Sequence, residues 1–220
     1  KIHELPDLPQ KGDAWDWIEN GGTTERLYEL AKQTKIFEPQ PFVSRLNAIT
    51  WDQLDDPAPE HEYLIKGVLT RGETSMVAGP SMSGKSFLVL DQGMAVARGI
   101  NWMGRKVRRG GVLYQAGEGQ RGIKKRLRAY RTRHALSLKD DIPFVLMPTK
   151  INLYRDDNDT NTLIAEALHY SKLMSCPLEL IIIDTFSTAP TGANENDGKD
   201  VGGVLDRCHK LSKATGAHVM

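Results

Sequence analysis

The chain has 220 residues, 40% of them hydrophobic and 26% charged, with 29 Lys and Arg against 28 Asp and Glu for a formal net charge of +1. That composition, free of low-complexity tracts, fits one ordinary α/β-sized domain with an appendage and excludes a wholly disordered chain. The most apolar stretch, Leu180 to Ile183, is far shorter than the roughly 20 residues of a bilayer-spanning helix; with no secretion-signal pattern and only Cys176 and Cys208 available for pairing, the expectation is a cytoplasmic protein with no membrane partner.

The charge is unevenly spread: residues 1–62 carry 13 acidic and 6 basic side chains, and the remainder of the chain is correspondingly basic. Near the start, Asp13 is placed to cap a short helix through Ile18, stopped by Gly21-Gly22. A second helix is predicted over 25–35, with Leu27, Leu30, Ala31 and Thr34 on one side, ended by Pro39 and Pro41. The acidic, proline-interrupted stretch 52–60 reads as an exposed linker. The boundary therefore falls near residue 60, between a helical extension with its linker (1–60) and a larger domain (61–220).

Beyond the linker, strand-length apolar runs alternate with amphipathic segments of helical length. Strands are predicted at 75–78, 111–115, 144–147 and 180–184, with another starting at His218; helices are predicted at 85–98, 120–134, 160–174 and 200–215. This order predicts an α/β domain with a mostly parallel sheet flanked by helices. In the helix from Gln120, the spacing of Ile123, Leu127, Tyr130 and His134 directs them to the core. The chain opens at Lys1 without a methionine and stops where an apolar run begins, which reads as a piece of a longer protein truncated at its C-terminus.

Gly79-Pro80-Ser81-Met82-Ser83-Gly84-Lys85-Ser86 matches G-x-x-x-x-G-K-[ST] between a predicted strand and a predicted helix. A loop of this kind exposes several backbone N–H groups to a phosphate chain while the following helix, opening through Phe87, directs its positive end at the anion. Lys85 adds a charge for the β and γ phosphates, and Ser86 a hydroxyl for Mg²⁺. ATP and Mg²⁺ are the expected cofactors. Asp184, at the carboxyl end of the strand LELIII, is the second expected metal residue, since ligands bind at that edge of α/β sheets. Hydrolysis also needs a group that positions water. Glu118, in the glycine-flanked turn after VLYQ, is the candidate, with Glu73 a weaker one.

On these residues, 63–220 resemble the RecA-like P-loop ATPases, and more narrowly the RepA-like ring helicases of plasmids and phages. The likeness rests on LIKGVLTRGE before the loop, SFLVLDQGMAVARG after it, VLYQAGEG with Glu118, and the strand ending Asp184-Thr185. It implies an ATP-hydrolysing motor domain of a DNA-replication helicase, acting on single-stranded DNA as a homo-oligomeric, hexameric ring. It also places the family's sensor residue and arginine finger after Met220. The segment LPDLP with KGDAWDW and GGT, residues 5–23, resembles the end of a Toprim-type primase domain, implying a primase-helicase parent.

The helix from Gln120 is strongly basic, with Arg121, Lys124, Lys125, Arg126, Arg128, Arg131 and Arg133, which suits phosphate contact as well as a solvated face. The polar loop 188–199 is either a DNA-facing loop or without function. Tyr114 and Tyr130 read as partly buried packing residues, and the spacing of His169, Cys176, Cys208 and His209 fits no standard zinc site. Two other functions fit the same scaffold: a nucleotide-dependent regulatory ATPase that assembles on DNA or a partner without translocating, and a kinase, for which no lid-like arginine pattern is present.

Overall fold

The computed structural model describes residues 11–33, 48–55, 61–117, 120–153, 157–184 and 198–220. The chain divides into two compact units, Lys1–Ala58 and Pro59–Met220.

In the first unit, α1 (Ala14–Glu19) is short, and its start is fixed by a reciprocal cap. The Asp13 carboxylate accepts from the Trp15 and Asp16 amides, and Asp16 accepts in return from the Asp13 amide at 2.8 Å. Helix α2 (Thr24–Gln33) follows. Part of the expected linker is structured, with a single 3₁₀ turn at Trp51–Gln53 whose Thr50 and Gln53 close a capping box.

The second unit opens with an antiparallel hairpin of β1 (Tyr63–Ile65) and β2 (Leu69–Thr70), which the sequence reading did not anticipate. Leu64, Ile65 and Leu69 are buried, so these three residues, with so little strand around them, carry the hairpin into the core. The elements that follow are α3 (Lys85–Arg98), β3 (Gly111–Ala116), α4 (Gln120–Arg133), β4 (Phe144–Met147), α5 (Asn158–Leu173), β5 (Leu178–Asp184), α6 (Gly198–Thr215) and β6 (His218–Val219). The four strands from β3 onward form a parallel sheet in the order β4-β3-β5-β6.

Alternation along the strands sorts the core into two layers. Val112, Tyr114, Leu180 and Ile182 pack on one face with Leu90 and Val96 of α3 and Ile123 of α4. Leu113, Ile181 and Val219 pack on the other with Leu163 and Ala167 of α5 and Leu211 of α6. Helix α3 lies so close to the sheet at Gly93 that a Cβ there would come within 2.9 Å of Ile182. The fold is that of a RecA-like P-loop NTPase, with helices on both faces of a parallel sheet.

Two expectations need correction. The strand expected at 75–78 is not a regular one: the chain joins the sheet through a parallel bridge of Thr74 with Val219 and the bonds of Glu73 and Ser75 to Val219, and then leaves it. From Met76 to Gly79 no further ladder bond forms among the described residues. His134 is exposed and stacks on Tyr130 with ring centroids 4.1 Å apart: it keeps the helical phase, its N–H donating to the Tyr130 carbonyl at 3.0 Å, but lies past the part of α4 that packs on the core through Ile123 and Leu127.

Candidate active site

The loop from Gly79 to Gly84 connects the bridged segment to α3. Its path needs two left-handed residues, Met82 at φ 64° and Gly84 at φ 90°. Met82 is fully exposed, while at Gly84 a side chain would be strained by the backbone conformation alone. Gly84 is the N-cap of α3 and has no side chain to satisfy the first-turn amides, which leaves the helix N-terminus open to an anion. The loop is drawn together from within: Ser83 N–H donates to the Pro80 carbonyl, and Lys85 Nζ donates to the carbonyls of Gly79 and Pro80 at 2.7 and 2.9 Å. The ammonium thus lies across the loop, where a phosphate would compete for it.

Asp184 reaches the same place from the sheet. One carboxylate oxygen accepts from Ser86 Oγ at 3.0 Å, and the other accepts from the Tyr114 hydroxyl at 2.5 Å. Tyr114 pairs with Ile182 across β3 and β5, so its side chain points to the same face as Asp184 two residues further on. Tyr114 is wholly buried, not partly buried as the sequence suggested. Burial, followed by the bond to Asp184, pushes its hydroxyl far above the ordinary tyrosine range, so it stays a donor. The signal for this contact was available, since Tyr114 and Ala116 share a strand face, but it required the β3–β5 register.

The arrangement offers oxygen ligands from Ser86 and Asp184, a donor set that fits Mg²⁺ rather than a softer metal. Among the described residues no group of three or more His, Cys, Asp or Glu gathers as a metal site. A cation at Ser86 and Asp184 would therefore take its remaining ligands from phosphate and water.

A cleft of about 810 Å³ opens from Lys85 and Gly84 between α3 and α4, walled by Phe87, Asp91, Arg126 and Tyr130. The Arg126 guanidinium sits 4.2 Å from the centre of the Phe87 ring. A smaller cavity of about 210 Å³ adjoins Lys85 and Asp184 on the side of α6, lined by Leu205 and Cys208. Burial pushes the Cys208 thiol up to about 11, which keeps it in the unreactive protonated form.

Thus Gly79, Pro80, Ser83, Gly84, Lys85, Ser86 and Asp184 come together, with Ser81 at the loop's outer surface and Phe87 at the mouth of the cleft. Glu118 lies outside the described residues. The strand before it ends beside Asp184: Ala116 pairs with Asp184, and Gly117 N–H donates to the Asp184 carbonyl at 2.7 Å. Glu73 precedes Thr74, the residue bridged to Val219 and so level with Ile181, and therefore lies four residues short of Asp184 along the sheet and two strand positions across it.

The model of the AAA domain family matches residues 39–220. The chain belongs to that family. The match covers most of the chain and begins upstream of residue 60. No curated protein matches. As an AAA domain the chain is an ATPase domain of the P-loop kind, and nucleotide binding is the property its loop and carboxylate share with that class. No helix among the described residues of this AAA domain is long and apolar enough to cross a membrane.

Proposed function

We propose that the chain is the ATP-hydrolysing motor domain of a DNA-replication helicase of the RepA-like kind, working on single-stranded DNA as a homo-oligomeric ring. The observation that carries the catalytic part is the 3.0 Å contact between Ser86 and Asp184 beside the Lys85 ammonium. That two residues 98 positions apart meet at the mouth of an uncapped helix supports a shared ligand there.

In this reading the amides of 79–86 and the N-terminus of α3 bind the phosphates, and Lys85 exchanges its loop carbonyls for β and γ oxygens. Ser86 and Asp184 would hold Mg²⁺, which would offset the charge developing on the phosphates. Glu118 accepts a proton from the attacking water and holds it in line. Its position one residue after the Gly117–Asp184 bond supports that role. Tyr114 fixes the carboxylate and is a positioning residue. The cleft between α3 and α4 has room for the nucleoside, with the Arg126–Phe87 pair at its wall. The upstream likeness to a Toprim domain supports a primase-helicase parent.

The test is ATP turnover with and without single-stranded DNA. Strong stimulation by DNA supports the motor reading. Turnover indifferent to DNA moves the reading to a regulatory ATPase, and nucleotide binding without any turnover removes the catalytic role from Glu118.

A further inference from the structure

Helix α4 carries five arginines and two lysines and no acidic residue. Arg121, Lys124, Lys125 and Arg128 stand at i, i+3, i+4 and i+7 and so form one row along the helix. All four are exposed, while Ile123 and Leu127 hold the opposite side in the core. Elsewhere on this unit three of the exposed arginines are neutralised, Arg71 and Arg108 by Glu62 and Arg109 by Asp141, while Arg105 bonds only the Lys66 carbonyl. Among the described residues none of the cations of α4 meets a carboxylate. Like charges at this spacing repel, and among the described residues no carboxylate pairs with them.

We propose that this row is a docking surface for the phosphate backbone of duplex DNA. From Arg121 to Arg128 the row runs about 10 Å along the helix axis, the length of about three phosphate steps on one strand. It carries no aromatic side chain. The one aromatic of α4, Tyr130, is engaged, accepting from Arg98 at 3.0 Å and stacking on His134. Surfaces that hold single strands combine charge with aromatic platforms for unpaired bases. A duplex hides its bases and shows phosphates, so a stiff cationic row without aromatics matches it and reads no sequence. The identity of the polymer rests on the helicase reading above; the row itself does not. Because α4 also supplies Arg126 to the wall of the nucleotide cleft, a duplex held on its outer side would lie on the helix that borders the bound nucleotide.

The experiment compares the parent chain with a row variant (Arg121→Gln, Lys124→Gln, Lys125→Gln, Arg128→Gln) and with a control of equal charge change (Lys139→Gln, Lys150→Gln, Lys172→Gln, Lys213→Gln), whose lysines are exposed elsewhere. Fluorescein-labelled duplex and single-stranded DNA of about 20 nucleotides are titrated by anisotropy from roughly 50 to 200 mM salt, beside a fluorescent ATP analogue and anionic lipid vesicles. The row variant should lose duplex affinity by more than about tenfold, and the slope of log K against log salt should shrink by about 3 to 4, while the control keeps both. Equal duplex affinity in the row variant and the parent overturns the proposal. So does a row variant that loses only single-strand or only vesicle binding. The analogue separates the two readings: its failure to bind the parent counts against the nucleotide site, whereas unchanged duplex affinity in a row variant that binds the analogue normally counts against the row alone.

Discussion

The two ends of strand β5 hold two carboxylates, Glu179 and Asp184, under opposite regimes. Glu179, at the amino edge, is nearly inaccessible, with Arg71 Nε at 2.7 Å and an Arg108 nitrogen at 3.6 Å; both arginines also reach Glu62. It is the residue skipped when the β3–β5 register shifts, so a bulge turns it toward these cations. Asp184, at the carboxyl edge, has two hydroxyls and, among the described residues, no ion-pair partner. Hydroxyls orient a carboxylate without neutralising it. One end of the strand is thus electrostatically closed and serves the fold, and the other is held in position with its charge unspent, as a cation site requires.

The sharpest way to break that contrast is to neutralise each carboxylate in turn. Asp184→Asn keeps the size and an acceptor for Ser86 but removes the charge. Turnover should fall by about 10²–10³-fold, the scale on which preorganised electrostatic groups act, with the thermal midpoint nearly unchanged. A fall below tenfold would make Asp184 a structural acceptor like any other. Glu179→Ala should do the reverse. The arginines it leaves behind are more than a third exposed and partly resolvate, so about 2–3 kcal/mol of stability is lost rather than the 3–5 of a fully buried pair, and turnover per folded molecule is kept. Denaturant melts with an activity assay on the same samples separate the two outcomes.

A smaller effect probes how Asp184 is held. Tyr114→Phe removes one hydroxyl and leaves the ring in the core. A hydrogen bond to a charged group is worth about 1.5 kcal/mol or more, so the Mg²⁺ concentration for half-maximal turnover should rise about tenfold. A merely structural tyrosine would lower stability and leave that Mg²⁺ dependence where it was.

The closed and open ends were unequally legible in the sequence. The helix 85–98 and the strand 144–147 fall where patterning puts them, because a glycine bounds that helix at each end and turn-forming residues flank that strand. Helix α5 begins two residues earlier than expected and α6 is likewise extended at its start, as is usual where fraying sets the boundary. The loop and Asp184 were readable because motif and strand end are local features. The Tyr114 contact and the Glu179 network were not, since both depend on which strands are neighbours and on a one-residue slip between them. The hairpin at β1 and β2 escaped because two or three residues per strand give no period to read.

The smallest expected effect concerns the place where the closed edge meets the loop. His218 lies buried in β6, its Nδ1 2.6 Å from the Thr70 carbonyl of the hairpin and its Nε2 2.7 Å from Ser75 Oγ, just before the nucleotide loop. A carbonyl only accepts, so Nδ1 carries the proton and Nε2 accepts from Ser75, which is the neutral ring. Burial, the largest influence, holds its pKa below the usual 6.5 against the opposing pull of Thr70 and the Glu73 charge. The unfolded chain then binds the proton more readily than the folded one. The stability that His218 contributes is therefore fully present above about pH 6.5 and is lost as pH falls from there toward the lowered folded value. Urea melts at neutral and mildly acidic pH should show that decline in the parent and a flatter response in His218→Gln, which can still donate to Thr70. An equal decline in both would place the acid sensitivity in other groups and remove His218 as the link between the hairpin and the loop.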